Sequence, residues 1–193
     1  MGDEGSMSDI AIDACCLLNL IAAGNILSRI DEGNSASRVF PHVLHVPDIV
    51  AAEALFVYEP DQDDPGKLVK SHLDLRSMID ASILQGCTLQ SGVESELFVR
   101  LAVRLDDGEA AYLAIAKTRS WMLATDDRVA RRLCSELDVS TLTTAEMVRF
   151  WAEESNASDE VVGTALENIQ RFARFLPRSG SPESEWWFQH AKQ

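Results

Sequence analysis

Five carboxylates stand just past the end of an expected strand or within or at the start of an expected helix. Asp13 closes the apolar run 9–13, Glu53 follows the run 43–46, Glu109 opens an alanine-rich stretch, and Asp126 and Asp127 follow Trp121–Thr125. Carboxylates without histidine or cysteine partners are hard oxygen ligands, which suit Mg2+ or Mn2+ and not zinc. Ions held by such a set lower the pKa of a coordinated water and stabilise the attacking and leaving oxygens of an in-line displacement. The matching chemistry is phosphodiester hydrolysis, with the 3′ bridging oxygen leaving and a 5′ phosphate as product.

Each acid also has a plain structural role. Asp13 can cap the helix that follows it, and Asp106 with Glu109 fits a capping box. Glu53 lies among Ile49, Val50, Ala51, Ala52, Leu55 and Phe56, and a carboxylate in so apolar a helix needs a partner or a cation. Of Asp126 and Asp127 one suffices as a cap, so the second needs another reason.

These positions presuppose alternating elements. Leu17, Leu18, Leu20 and Ile21 recur at helical spacing after the first strand, until Gly24. Val43–Val46 reads as a second strand, followed by a helix over Ile49–Tyr58. Residues 59–66 hold two prolines, four acids and no apolar side chain, which marks an exposed loop and a candidate mobile flap. Segments 71–85 and 93–105 read as helices around a strand within 86–92. Segment 106–142 reads as helix, strand (121–125), helix (127–137) and strand (139–142). Such alternation implies an α/β fold, a parallel sheet with helices on both faces, and ligands collect at the carboxyl ends of its strands. A helical C-terminal appendage follows: one helix begins near Glu146 after Thr143 and Thr144, and another over 158–176 ends at Pro177. A Ser/Gly/Pro linker over 178–185 then leads to Trp186, Trp187 and Phe188, which should dock on some surface, with the chain's own core favoured.

The chain has 193 residues, 46% hydrophobic and 25% charged, enough for one core with an appendage. No stretch approaches the roughly 20 apolar residues that cross a bilayer, and the first residues are acidic and polar, so a cytoplasmic protein without a membrane partner is expected. Cys15, Cys16, Cys87 and Cys134 form no C-x-x-C pair and are expected to be buried free thiols. A net charge of −14 opposes nucleic-acid binding in general. Locally the sign reverses, because Lys117, Arg119, Arg128, Arg131 and Arg132 flank the last two acids; Lys117, Arg128, Arg131 and Arg132 are candidate RNA contacts. His42 and His45 would point to opposite faces of a strand, which disfavours a metal pair. A phosphatase of the haloacid dehalogenase type needs an acid at position 15, where Cys15 stands.

The segments 13–20, 47–53, 108–116 and 124–131, in that order and spacing, resemble the PIN-domain nucleases, which include the toxins of VapBC-type toxin–antitoxin pairs. The resemblance covers about 9–142. It implies a metal-dependent endoribonuclease in which Asp13, Glu53, Glu109 and Asp127 are catalytic and bind Mg2+ or Mn2+ together with Asp126, supported by Thr125. The usual threonine, variable residue, aspartate pattern favours Asp127 over Asp126 as the main ligand. RNA is the implied substrate, and an antitoxin protein and a homodimer are candidate partners. The chain departs from the family where a serine or threonine commonly follows the first aspartate; here Ala14, Cys15 and Cys16 stand. The implied organisation is a flexible N-terminus over 1–8, a PIN-like domain over 9–144 and a helical extension over 145–193. The alternative is a PIN fold that binds or regulates without cutting.

Overall fold

The computed structural model describes residues 8–24, 26–30, 36–53, 55–64 and 66–191. The expected flexible N-terminus lies almost wholly outside the described residues. In chain order the elements are β1 (Asp9–Ile12), α1 (Ala14–Ala22), β2 (Ser28–Ile30), β3 (Ala36–Arg38), β4 (Val43–Pro47), α2 (Asp48–Ala51), β5 (Phe56–Pro60), β6 (Leu68–His72), α3 (Leu75–Asp80), β7 (Gln85–Cys87), α4 (Val93–Leu101), α5 (Asp107–Arg119), β8 (Met122–Ala124), α6 (Arg128–Glu136), β9 (Thr141–Leu142), α7 (Thr144–Glu154), α8 (Asp159–Asn168) and α9 (Pro182–His190). A π-helical turn, Ile169–Ala173, prolongs α8.

Five strands form a parallel sheet in the order β7-β4-β1-β8-β9, flanked by helices. Ile10, Ala11 and Ile12 of the central strand are fully buried, the mark of a parallel strand covered on both faces. Ala110–Ala116 of α5 are buried without interruption, and the four alanines among them, Ala110, Ala111, Ala114 and Ala116, help that helix lie close against β1, β4 and β8. From β1 the chain moves outward to β4 and β7, then returns to β8 and β9 on the other side. The carboxyl ends of β1 and β8 therefore flank a topological switch point, where helices leave in opposite directions and a crevice opens.

Several sequence expectations shift. The helix read over 49–58 stops at Ala51, and Phe56–Pro60 instead pairs antiparallel with Leu68–His72. Phe56, Val57 and Tyr58 suit a pleated strand better than a helix. Glu59 and Pro60 of the acidic segment thus end β5, and the hairpin tip begins at Asp61, which accepts from the backbone of Asp63 and Asp64. The helix read over 71–85 is short, and β7 enters the sheet at Gln85. A small hairpin, β2 with β3, was not expected. The helix read over 158–176 changes pitch at Ile169 and stops at Arg174, which is left-handed (φ 57), before Pro177 is reached.

The aromatic tail docks on its own chain. Trp186–Phe188 lie inside α9, which begins at Pro182 within the segment read as a linker, and α9 packs on α7 and α8. Trp187 is fully buried and meets Phe175 edge-on at 5.7 Å, whereas Phe188 stays half exposed. Among the described residues no helix is long and apolar enough to cross a membrane.

A carboxylate cleft at the sheet's switch point

The switch point holds a cleft of about 340 Å³ lined by Asp13, Glu53, Asp106, Glu109, Asp126 and Asp127, with Ala14, Cys15, Val50, Gly108 and Tyr112. All five acids chosen from the sequence meet there, joined by a sixth, Asp106. Among the described residues no lysine, arginine or histidine lines it.

Asp13 caps α1, accepting from the Cys16 amide at 2.6 Å, and its own amide donates to Ala124 O at 3.0 Å, which ties the acid to the end of β8. It is 4% exposed. Burial pushes its pKa up to about 6, aided by the Asp126 charge and opposed by hydrogen bonds from Thr125 and Cys16.

The adjacent acids after β8 divide their tasks. Asp127 turns outward and caps α6, accepting from Val129 N at 2.7 Å and Ala130 N at 2.8 Å. Asp126 turns inward: Thr144 donates its hydroxyl to Oδ2 at 2.5 Å and its amide to Oδ1 at 3.1 Å, and Asn19 and Cys16 donate to Oδ2 at 3.4 and 3.3 Å. Thr125, fully buried, donates towards Asp13 and accepts from the Asp127 amide at 3.2 Å, so one hydroxyl links two of the acids.

Glu109 lies in the first turn of α5. The Asp106 side chain accepts from the Glu109 amide at 2.7 Å, the forward half of a capping box, while the Glu109 carboxylate faces the cleft. Burial, then the charges of Asp106 and Asp127, raise its pKa. Glu53 is not in a helix. It sits in the bend after α2, exposed, and its pKa is raised first by desolvation and then by Asp106. Gly108 makes room for it: a Cβ there would stand 3.2 Å from Glu53 Oε1 and 3.4 Å from Asp106 Oδ1.

Not every expectation converges. Lys117 lies two turns along α5 from Glu109, about 12 Å by helical rise, and borders a separate hollow with Trp121 and Met122. Arg128, Arg131 and Arg132 gather in a recess beside the cleft. His42 stacks on Phe150, while His45 contacts Asp9 at 2.7 Å and stacks on Trp121, so the two histidines part company. Cys16, Cys87 and Cys134 are buried free thiols, but Cys15 is exposed in the cleft. Burial and the surrounding carboxylates raise the Cys15 thiol to about 11, which keeps it neutral and a poor ligand.

Asp106, Asn19, Thr144 and Tyr112 were not among the site residues read from the sequence. Asp106 announced itself as a cap beside Glu109. Thr144 carried only a capping signal, and nothing local ties it to Asp126, 18 residues earlier.

The donor set is all carboxylate and hydroxyl oxygen, which fits Mg2+ or Mn2+. Among the described residues, however, no three Asp, Glu, His or Cys side chains are grouped so that they could hold one ion together. Asp126 and Asp127 are drawn to Thr144 and to α6, and like charges facing one another spread apart. Comparison of the chain with protein-family models, curated proteins and solved structures gave no match.

Proposed function

We propose that the chain is a PIN-like metal-dependent ribonuclease that cuts RNA endonucleolytically in this cleft. The observation that carries the reading is a single hollow at the sheet's switch point lined by six carboxylates from four separate stretches of sequence and, among the described residues, by no lysine, arginine or histidine. Uncompensated, that cluster costs stability, which the raised pKa values of Asp13, Glu53 and Glu109 express. Clustered acids that a fold tolerates at a cost are candidates for function.

Mg2+ or Mn2+ bound there would supply Lewis acidity and charge neutralisation for hydrolysis of the phosphodiester. Asp13, Glu53, Glu109 and Asp127 are the residues we assign to hold the ions, with Asp126 oriented by Thr144 as a further ligand. Thr125 fixes Asp13 and positions the loop that carries both later acids. The Tyr112 hydroxyl, held protonated by burial and the nearby acids, borders the cleft as a neutral group. A place as the toxin of a toxin–antitoxin pair, with an antitoxin partner and a homodimeric state, belongs to the same proposal.

A second reading, a fold that binds without cutting, draws on the absence among the described residues of a group of three ligands already in place. The discriminating experiment is cleavage of a labelled single-stranded RNA with and without Mn2+, beside calorimetric titration of Mn2+. We expect cleavage leaving 5′ phosphates, abolished in Asp13→Asn and Glu109→Gln, with heat of binding reduced in both. No cleavage and no carboxylate-dependent heat would leave the binding-only reading.

A further inference from the structure

A second charged hollow adjoins the cleft. Arg128, Arg131 and Arg132 lie on one face of α6, at spacings of three and four residues. Arg178, carried by the segment after the π-helical turn, faces them across a recess of about 350 Å³. Arg132 pairs with Glu136 at 3.2 Å, but among the described residues no carboxylate lines the recess itself. Four guanidinium groups thus converge on a chain of net charge −14. Arg132 already has Glu136 as a counter-charge, while the like charges of Arg128, Arg131 and Arg178 favour an anion among them, and the planar guanidinium fork matches phosphate.

The recess is not isolated. A groove of about 540 Å³ shares Arg131 and Arg178 with it and shares Asp126 with the carboxylate cleft. Shared lining residues set the three hollows side by side, in the order of a track. Phe175, Leu176 and Pro177 give its middle section an apolar wall beside Glu146 and Glu183, and a nucleobase can lie against that wall with its phosphate held at the arginine end.

We propose that this track binds single-stranded RNA, with backbone phosphates on one side of the cleavage point held by Arg128, Arg131, Arg132 and Arg178. The choice of RNA rests on the ribonuclease reading of the cleft. The C-terminal segment then supplies part of the substrate site as well as part of the core. An acidic protein segment would meet the same charges, but it has no use for a wall suited to planar bases or for continuity with the carboxylate cleft.

Fluorescence anisotropy with a short labelled single-stranded RNA in EDTA, titrated over a range of salt, measures the track without cleavage. Arg178→Gln should weaken binding by about three- to tenfold, and the triple variant Arg128→Gln, Arg131→Gln, Arg178→Gln should flatten the slope of log affinity against log salt by about 2. Arg76→Gln on α3, which precedes the opposite edge strand of the sheet, should change neither. Thermal melts confirm that the variants are folded. Unchanged affinity and slope in the triple variant would overturn the proposal, as would equal affinity for polyglutamate. Cleavage assays with Mn2+ keep the two ideas apart. A triple variant that binds and cuts like wild type removes the track alone, whereas arginine-dependent binding by a wild type that never cuts removes the ribonuclease reading and supports the track.

Discussion

Asp13→Asn should make the metal-free protein more stable at neutral pH, while abolishing cleavage. Asparagine caps a helix as well as aspartate does, so the bond from the Cys16 amide survives and the charge alone is removed. Asp13 titrates near 6 in the fold against an ordinary 3.8, so the folded chain binds that proton more tightly than the unfolded chain. Below 3.8 both states are protonated and the group contributes nothing. As pH rises from 3.8 to about 6 the wild type loses stability relative to the variant, and above 6 the loss is complete. At ~1.4 kcal/mol per pH unit the interval corresponds to about 3 kcal/mol. For a chain of this length that is about 6–12 °C in melting temperature. The assay is thermal or urea unfolding in EDTA from pH 4 to pH 8, with the two proteins converging at the acid end. Equal stability at pH 7.5, or a less stable variant, would refute the reasoning, because it would mean that the ionised Asp13 is already compensated by its neighbours.

Two further outcomes are expected. Gly108→Ala places a methyl group against Glu53 Oε1 and Asp106 Oδ1, so Mn2+-dependent cleavage should fall. Stability should change by no more than about 1 kcal/mol, since alanine also favours the helix, and full activity would show that Glu53 need not approach α5. Trp187→Ala should cost about 3–5 kcal/mol, because a fully buried indole packed on Phe175 leaves a cavity; a melting temperature unchanged in calorimetry would contradict the docking of α9.

The convergence of Asp13 and the Asp126–Asp127 pair was legible because strands of a parallel sheet all end on one side, and an acid just after each strand must appear there; Glu109 was legible only as an acid in the first turn of a helix. The surroundings of Glu53 were not legible. Val50, Ala51, Leu55 and Phe56 look like one apolar helix, yet the strand preference of Phe56–Tyr58 and pairing with Leu68–His72 break it, and Glu53 lands in a bend. Lys117 was drawn into the basic group by sequence proximity, although a helix carries residues 109 and 117 to different ends. Thr144 was invisible as a partner of Asp126, since only the pairing of β8 with β9 sets them side by side. Arg178 had no local signal at all: its meaning comes from the fold of the segment after α8 against α6.

The clasp of Thr144 on Asp126 also bears on how the protein comes to be made. A ribosome delivers β1, β4 and β8 well before residue 144, and α7, which carries that threonine, packs against α9, where Trp187 follows 43 residues later. At ~5–20 residues per second the interval from Thr144 to Trp187 lasts about 2–9 s. During it the nascent chain can pair its central strands while α7 still lacks its covering helix. Pairing of the central strands can therefore precede the docking of α9 on the helix that carries Thr144.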